Sequence, residues 1–142
     1  MNARIKRLDK NLPLPVYHTK GSVGFDILCR TDMNIKPGEI ALVPGNIIVE
    51  TPPGYMLLIA LRSSTPRKYG LIKPHGIGIV DNDYSGDEDE VKVQVYNFTD
   101  KEVAIKKGDR LAQGVFVKIE KFEWEETDKM GASRGGFGST GN

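Results

Sequence analysis

A chain of 142 residues with 39% hydrophobic and 27% charged side chains is long enough to bury one core and too short for two independent ones, the profile of a soluble globular domain. Its net charge of +1 supplies no general field for nucleic acid or an anionic membrane, so any anion must be held by local groups. The single Cys29 excludes an internal disulfide, its spacing from His18 and His75 suggests no zinc site, and no apolar run reaches the ~18 residues of a membrane span.

Residues 1–10 are charged and carry no signal-peptide pattern, so the expected home is a reducing cytosol. Gly21-Ser22-Val23-Gly24-Phe25-Asp26 reads as a glycine-rich loop entering a strand, with Asp26 accepting a structural hydrogen bond. Short runs rich in Val and Ile predict strands at 39–43, 47–50 and 55–61, punctuated by Lys36-Pro37-Gly38 and Pro52-Pro53-Gly54. Leu61-Arg62-Ser63-Ser64 then closes the third of these strands and opens a helix of a turn or two over 64–69, which Ser63 or Ser64 can cap and whose first turn suits Pro66. Unpaired amides, hydroxyls and a guanidinium meet there, as a phosphate chain requires, although a plain capped helix would look the same.

In Gly76-Ile77-Gly78-Ile79-Val80-Asp81-Asn82-Asp83-Tyr84-Ser85-Gly86, two apolar stretches flank an acidic turn bounded by glycines. It predicts a β-hairpin or tight bend whose exposed backbone could read the edge of a base and whose carboxylate could align a water; an ordinary turn is the bland reading. Asp87-Glu88-Asp89-Glu90 suggests a solvated loop rather than a metal cluster. From Val91 to Val95 the alternation is strict, with Val91, Val93 and Val95 facing one way and Lys92 and Gln94 the other. Further strands are expected at 102–105 and 114–119. Between them Lys107-Gly108-Asp109 marks a turn, and Arg110 and Gln113 follow it, one able to pair with an anion and the other to orient water.

The last segment, Ser133-Arg134-Gly135-Gly136-Phe137-Gly138-Ser139-Thr140-Gly141, sets one aromatic among glycines beside an Arg and hydroxyls. Phe137 could stack on a base while Arg134, Gly138, Ser139 and Thr140 close over phosphates. The expected organisation is one domain over 1–130 and a flexible glycine-rich lid over 131–142. Many short strands without a long helix predict a sandwich or barrel.

In this order and together, the five segments beginning at Gly21, Leu61, Gly76, Gly108 and Ser133 resemble the five motifs of the trimeric dUTPase family, over nearly the whole chain. The resemblance implies an all-β, jelly-roll-like distorted β-barrel with one short helix and a flexible C-terminal tail. It also implies a homotrimer whose sites form between subunits, each closed by a neighbour's C-terminal segment. The implied activity is Mg²⁺-dependent hydrolysis of dUTP to dUMP and pyrophosphate, which limits uracil in DNA and supplies dUMP for dTMP synthesis. By motif match, Asp81 orients the attacking water and Tyr84 packs on deoxyribose, leaving no room for a 2′-hydroxyl. Uracil is read by the backbone near His75, Ile77 and Gly78, with His75 using its main chain. The phosphates fall to Arg62, Ser63, Ser64 and Gln113, joined by Arg134, Ser139 and Thr140 as the tail closes, and Phe137 and Gly138 of the tail also bind substrate. Asp26 and Arg110 are supporting groups. No protein metal ligand is implied, because Mg²⁺ is held mainly by substrate phosphates and water. Neither nucleic acid nor membrane is an expected partner, and the location is the cytoplasm, or a host's cytoplasm or nucleus for a viral gene.

Three departures from the family pattern stand out. The acidic stretch after Gly86 is longer than usual, Ser85 stands where Arg is frequent, and Arg134 precedes Phe137 by only three positions. A rival, dCTP deaminase or a bifunctional deaminase and dUTPase, is similar at Arg62-Ser63-Ser64 and near Val80-Asp81. That family uses a glutamate where alignment on Asn97 places Gln94, and an amide cannot act as general acid or base. Asn82-Asp83-Tyr84 also differs from the deaminases' usual Pro-Gly-Phe. A nucleotide-sensing regulatory module, signalling through an ordered tail, is the alternative from another class.

Overall fold

The computed structural model describes residues 1–136. Its strands, in chain order, are β1 (Arg4–Arg7), β2 (Phe25–Leu28), β3 (Met33–Ile35), β4 (Ile40–Pro44), β5 (Ile47–Glu50) and β6 (Tyr55–Leu61). A short helix, α1 (Thr65–Tyr69), precedes β7 (Leu71–Ile72), β8 (Gly78–Val80), β9 (Lys92–Asn97), β10 (Val103–Ile105) and β11 (Arg110–Lys118). All pairings are antiparallel, in sheets ordered β2-β11-β6-β8, β4-β9-β7, β1-β5 and β3-β10. The fold is all-β and jelly-roll-like, with its ladders in separate sheets rather than one closed cylinder.

Alternation places the core. In β9 Val93 and Val95 are buried while Lys92 is exposed, and opposite them in β4 Ala41 and Val43 turn inward. These meet Phe25, Ile27, Leu57, Ile59, Ile105 and Leu111 from the other sheets in one apolar cluster. Cys29 lies in it, and burial, with the Asp109 charge, pushes its thiol up to about 12, which leaves it inert.

Four readings change in three dimensions. β8 pairs with β6, not with β9, so of the hairpin or tight bend expected over 76–86 the structure forms the bend, after a short strand. β11 begins at Arg110, four residues earlier than alternation indicated, because Gly114 interrupts the apolar pattern. The Gly114 position has no room for a side chain: a Cβ would meet the Phe25 ring at 2.6 Å. The short or charged strands β1, β3 and β7 carry too little pattern to be seen in advance.

The fourth concerns 87–90, which is not solvated throughout. Glu90 is 4% exposed and accepts both Arg30 Nε (2.8 Å) and Nη2 (2.9 Å), while its Oε1 also takes the Asn46 N–H at 2.9 Å. Asn46 is itself buried at φ 67°, with its side chain bonded to both backbone groups of Asp9. A buried acid becomes tolerable when a guanidinium and an amide replace its water.

α1 starts at Thr65, with Ser64 as the N-cap residue but without a side-chain capping bond. Its anchor is instead the buried Thr65, whose hydroxyl donates to Leu111 O at 2.6 Å. Gly70 ends the helix at φ 67° against Thr99, where no Cβ fits. Residues 120–136 are exposed and hold no helix or strand.

Candidate active site

β8 lies on β6 with Gly78 opposite Ile59 and Val80 opposite Leu57. Beyond it the chain bends at Asp81-Asn82-Asp83-Tyr84, and the Tyr84 N–H donates back to Asp81 O at 3.3 Å. Asn82 fixes the bend: its amide donates to Tyr55 O (2.6 Å) and to the Thr51 hydroxyl, with Pro52 O also within 3.2 Å. Asp81 is therefore left exposed on a turn nailed to the chain reversal before β6. Tyr84 is 42% exposed, and its hydroxyl reaches Glu90 O at 3.3 Å.

These groups line a cavity of about 510 Å³, in which His75, Gly78, Asp81 and Tyr84 meet Lys73, Lys92 and Gln94. Apolar walls come from Leu42, Ile59 and Val91. A carboxylate able to orient water, an aromatic ring and an exposed strand edge thus share one concave surface, a suitable setting for a nucleoside. Ile77 is exposed outside this lining, and its N–H donates to His75 O at 2.9 Å, so that donor is already used.

A second cluster centres on Asp26. Its Oδ1 pairs with Arg62 Nε at 3.1 Å, and its Oδ2 faces Arg110 Nη1 at 3.3 Å and His18 Nε2 at 3.0 Å. Gln113 lies opposite Asp26 in the ladder, and its Oε1 occupies the space above Gly24, 2.8 Å from where a Cβ would stand. Ser63 and Ser64 are exposed where β6 gives way to α1. Cationic and hydroxyl groups suited to phosphate therefore gather here.

The two clusters do not meet within one chain. Asp81 follows Val80, which pairs with Leu57, so Asp81 is level with Met56 and about 20 Å along β6 from Arg62. Arg134 is exposed in the final segment and lines no part of the cavity. Phe137, Gly138, Ser139 and Thr140 lie outside the described residues. Sequence reasoning missed Asn82 as the anchor of Asp81, and Lys73 as a cavity residue. An Asn inside an acidic turn is ordinary turn composition, and Lys73 looks like a solvated lysine until β8 covers it.

The family model for dUTPase matches residues 10–141. The chain belongs to the dUTPase family. The "Deoxyuridine 5'-triphosphate nucleotidohydrolase" of Hydrogenobaculum sp. (strain Y04AAS1) is 41% identical, with 99% of each chain covered. The protein of the same name from Helicobacter pylori (strain Shi470) is 38% identical over 99% of this chain and 97% of its own. Among solved structures, a dUTPase from Streptococcus mutans superposes with a TM-score of 0.78 at 31% identity, covering 84% of this chain and 98% of its own. In this family's setting, the jelly-roll-like sheets and the bend bearing Asp81 are the parts the five motifs lead one to expect.

Proposed function

We propose that the chain hydrolyses dUTP to dUMP and pyrophosphate in sites assembled between the copies of a homotrimer. The catalytic reading is carried by Asp81, held by Asn82 on the wall of a nucleoside-sized cavity, in a chain whose full-length relatives carry the name of dUTP hydrolases. The composite site is supported by the separation of the two clusters. An α-phosphorus beside Asp81 has its β- and γ-phosphates within a few ångströms, so the Arg62 cluster about 20 Å away must come from another copy.

In this reading the edge of β8 around Gly78 and the His75 main chain read the base, and Tyr84 lies on the deoxyribose. Asp81 accepts a proton from the water that attacks the α-phosphorus in line. Arg62, Ser63, Ser64 and Gln113 of a neighbour hold the phosphate chain, with Arg62 aimed by Asp26. Arg134, Phe137, Gly138, Ser139 and Thr140 close over it as the lid, 131–142, of a domain spanning 1–130.

Mg²⁺ fits the donor set as a largely hydrated ion chelated by the substrate. Among the described residues no three His, Cys, Asp or Glu side chains gather into a cage, and the exposed Asp81 offers an oxygen ligand at the cavity. When bound it would neutralise charge on the phosphates and the leaving pyrophosphate. No helix of the described residues is long and apolar enough to cross a membrane.

Gln94 lines the cavity where a deaminase would need an acid, which weighs against deamination. A product assay with dUTP, dCTP and UTP in the presence of Mg²⁺ tests the reading. Pyrophosphate and dUMP should appear from dUTP alone. Ammonia from dCTP would favour the deaminase, and tight dUTP binding without turnover would favour a sensing module.

A further inference from the structure

Lys73 has no part in the scheme above. It leaves β7 in a reversal in which Lys73 O accepts the Gly76 N–H at 3.1 Å, and its side chain lies back along β8. Both Lys73 Nζ and Cε stand 3.4 Å from where a Cβ on Gly78 would be, and the residue lines the cavity shared by His75, Asp81 and Tyr84. Among the described residues its ammonium has no ion pair and no hydrogen bond. Burial pushes its pKa below the ordinary lysine value of 10.5. A half-buried cation without a partner weakens the folded state, so an acceptor on the ligand is the natural compensation.

Position decides which part of the ligand supplies it. Asp81 lies three residues beyond Gly78, about 10 Å along the chain, and marks the phosphorus end of the cavity. Lys73 is therefore at the base end. The part of a pyrimidine farthest from the sugar and phosphates is the edge bearing the 4-substituent, a carbonyl acceptor in uracil and an amino donor in cytosine. A carbonyl there satisfies the ammonium, whereas an amino group sets N–H against N–H.

We propose that the Lys73 ammonium donates a hydrogen bond to the 4-carbonyl of the pyrimidine and so adds to the preference for uracil over cytosine that the β8 backbone supplies. This rests on the dUTPase reading of the cavity. The test compares the full-length chain with Lys73→Met, which keeps an apolar stem of similar length, and with Lys73→Arg, which keeps the charge. For Lys73→Met, KM for dUTP should rise on the order of tenfold with kcat within about twofold, and the ratio of kcat/KM for dUTP over dCTP should fall on the order of tenfold. Lys73→Arg should recover most of the ratio. Unchanged KM and ratio, or a loss confined to kcat, would overturn the assignment.

A second measurement needs no variant. In ¹⁵N-lysine-labelled wild-type protein, the Lys73 ammonium resonance should move with α,β-imido-dUTP and Mg²⁺ but not with Mg²⁺-pyrophosphate. No movement with the nucleotide, or equal movement with both, would sink the proposal. A wild-type chain that binds the analogue but never turns over dUTP would refute the hydrolase reading while this resonance still judged Lys73.

Discussion

The two hydrogens of the Asn82 amide fall among acceptors on Thr51, Pro52 and Tyr55, and the position of the neighbouring carboxylate depends on them. Asp81→Asn removes the carboxylate proposed as the base without moving this anchor. Its kcat should fall by about 10²–10⁴-fold, while the dissociation constant of a non-hydrolysable dUTP analogue, read by calorimetry, stays within about threefold. Asn82→Ala keeps the Asp81 carboxylate and frees the bend, so kcat should drop roughly 10–100-fold through misplacement. Its melting temperature should also fall, because buried acceptors lose their donor. Asp81 was legible in the sequence as a carboxylate in an acidic glycine-bounded turn. Asn82 was not, since its partners lie 27 to 31 positions away in the chain.

At the scale of elements, the segment before β9 is tied to the sheets by Glu90. Burial by itself would raise its pKa, but the Arg30 guanidinium, the Asn46 N–H and the Arg30 and Lys92 charges outweigh this and hold it below the usual 4.5. A carboxylate whose pKa is depressed on folding stabilises the folded state above its unfolded pKa, and that contribution is lost as pH falls through the lower, folded value. Glu90→Ala should cost about 2–3 kcal/mol at neutral pH, since Arg30 is partly solvated. The difference in melting temperature from wild type should hold down to the ordinary glutamate range and shrink in stronger acid; a gap that stays constant far below that range would refute the linkage. Because Glu90 O also receives the Tyr84 hydroxyl, the same tether steadies the ring assigned to sugar selection. Four consecutive acids gave no hint that the last would turn inward, because what selects Glu90 is Arg30, sixty positions away in the chain.

At the scale of the molecule, apolar side chains remain uncovered on the outside of the β4-β9-β7 sheet, where Ile40 and Leu42 are 55% and 54% exposed. Trp124, in the segment after β11, is 99% exposed. Large apolar side chains left exposed in this way accord with assembly. The separated clusters make a sharper statement. Asp81→Asn and Arg62→Met chains should each be inactive, yet co-refolded together they should recover on the order of a quarter of wild-type activity, as the proposed sites, drawing their two halves at random from different copies, require. No recovery would place the whole site within one chain. Sedimentation of the wild type should report a trimer.

From the residues in order came what depends on neighbours in the chain: the strands whose Val and Ile alternate, the reversals at Gly38, Gly54 and Gly108, the short helix after Ser64, and the five motifs that announce the family. Period-two burial and turn chemistry are local properties, so they can be read one segment at a time. Tertiary structure alone decided that β8 pairs with β6, that Glu90 points inward, that Asn82 carries the bend and that Lys73 enters the cavity. It also decided that the bend of Asp81 and the Asp26–Arg62 pair lie at opposite ends of β6. Each of these depends on a partner distant in sequence, and which partner arrives is settled by the packing of the sheets rather than by any local preference.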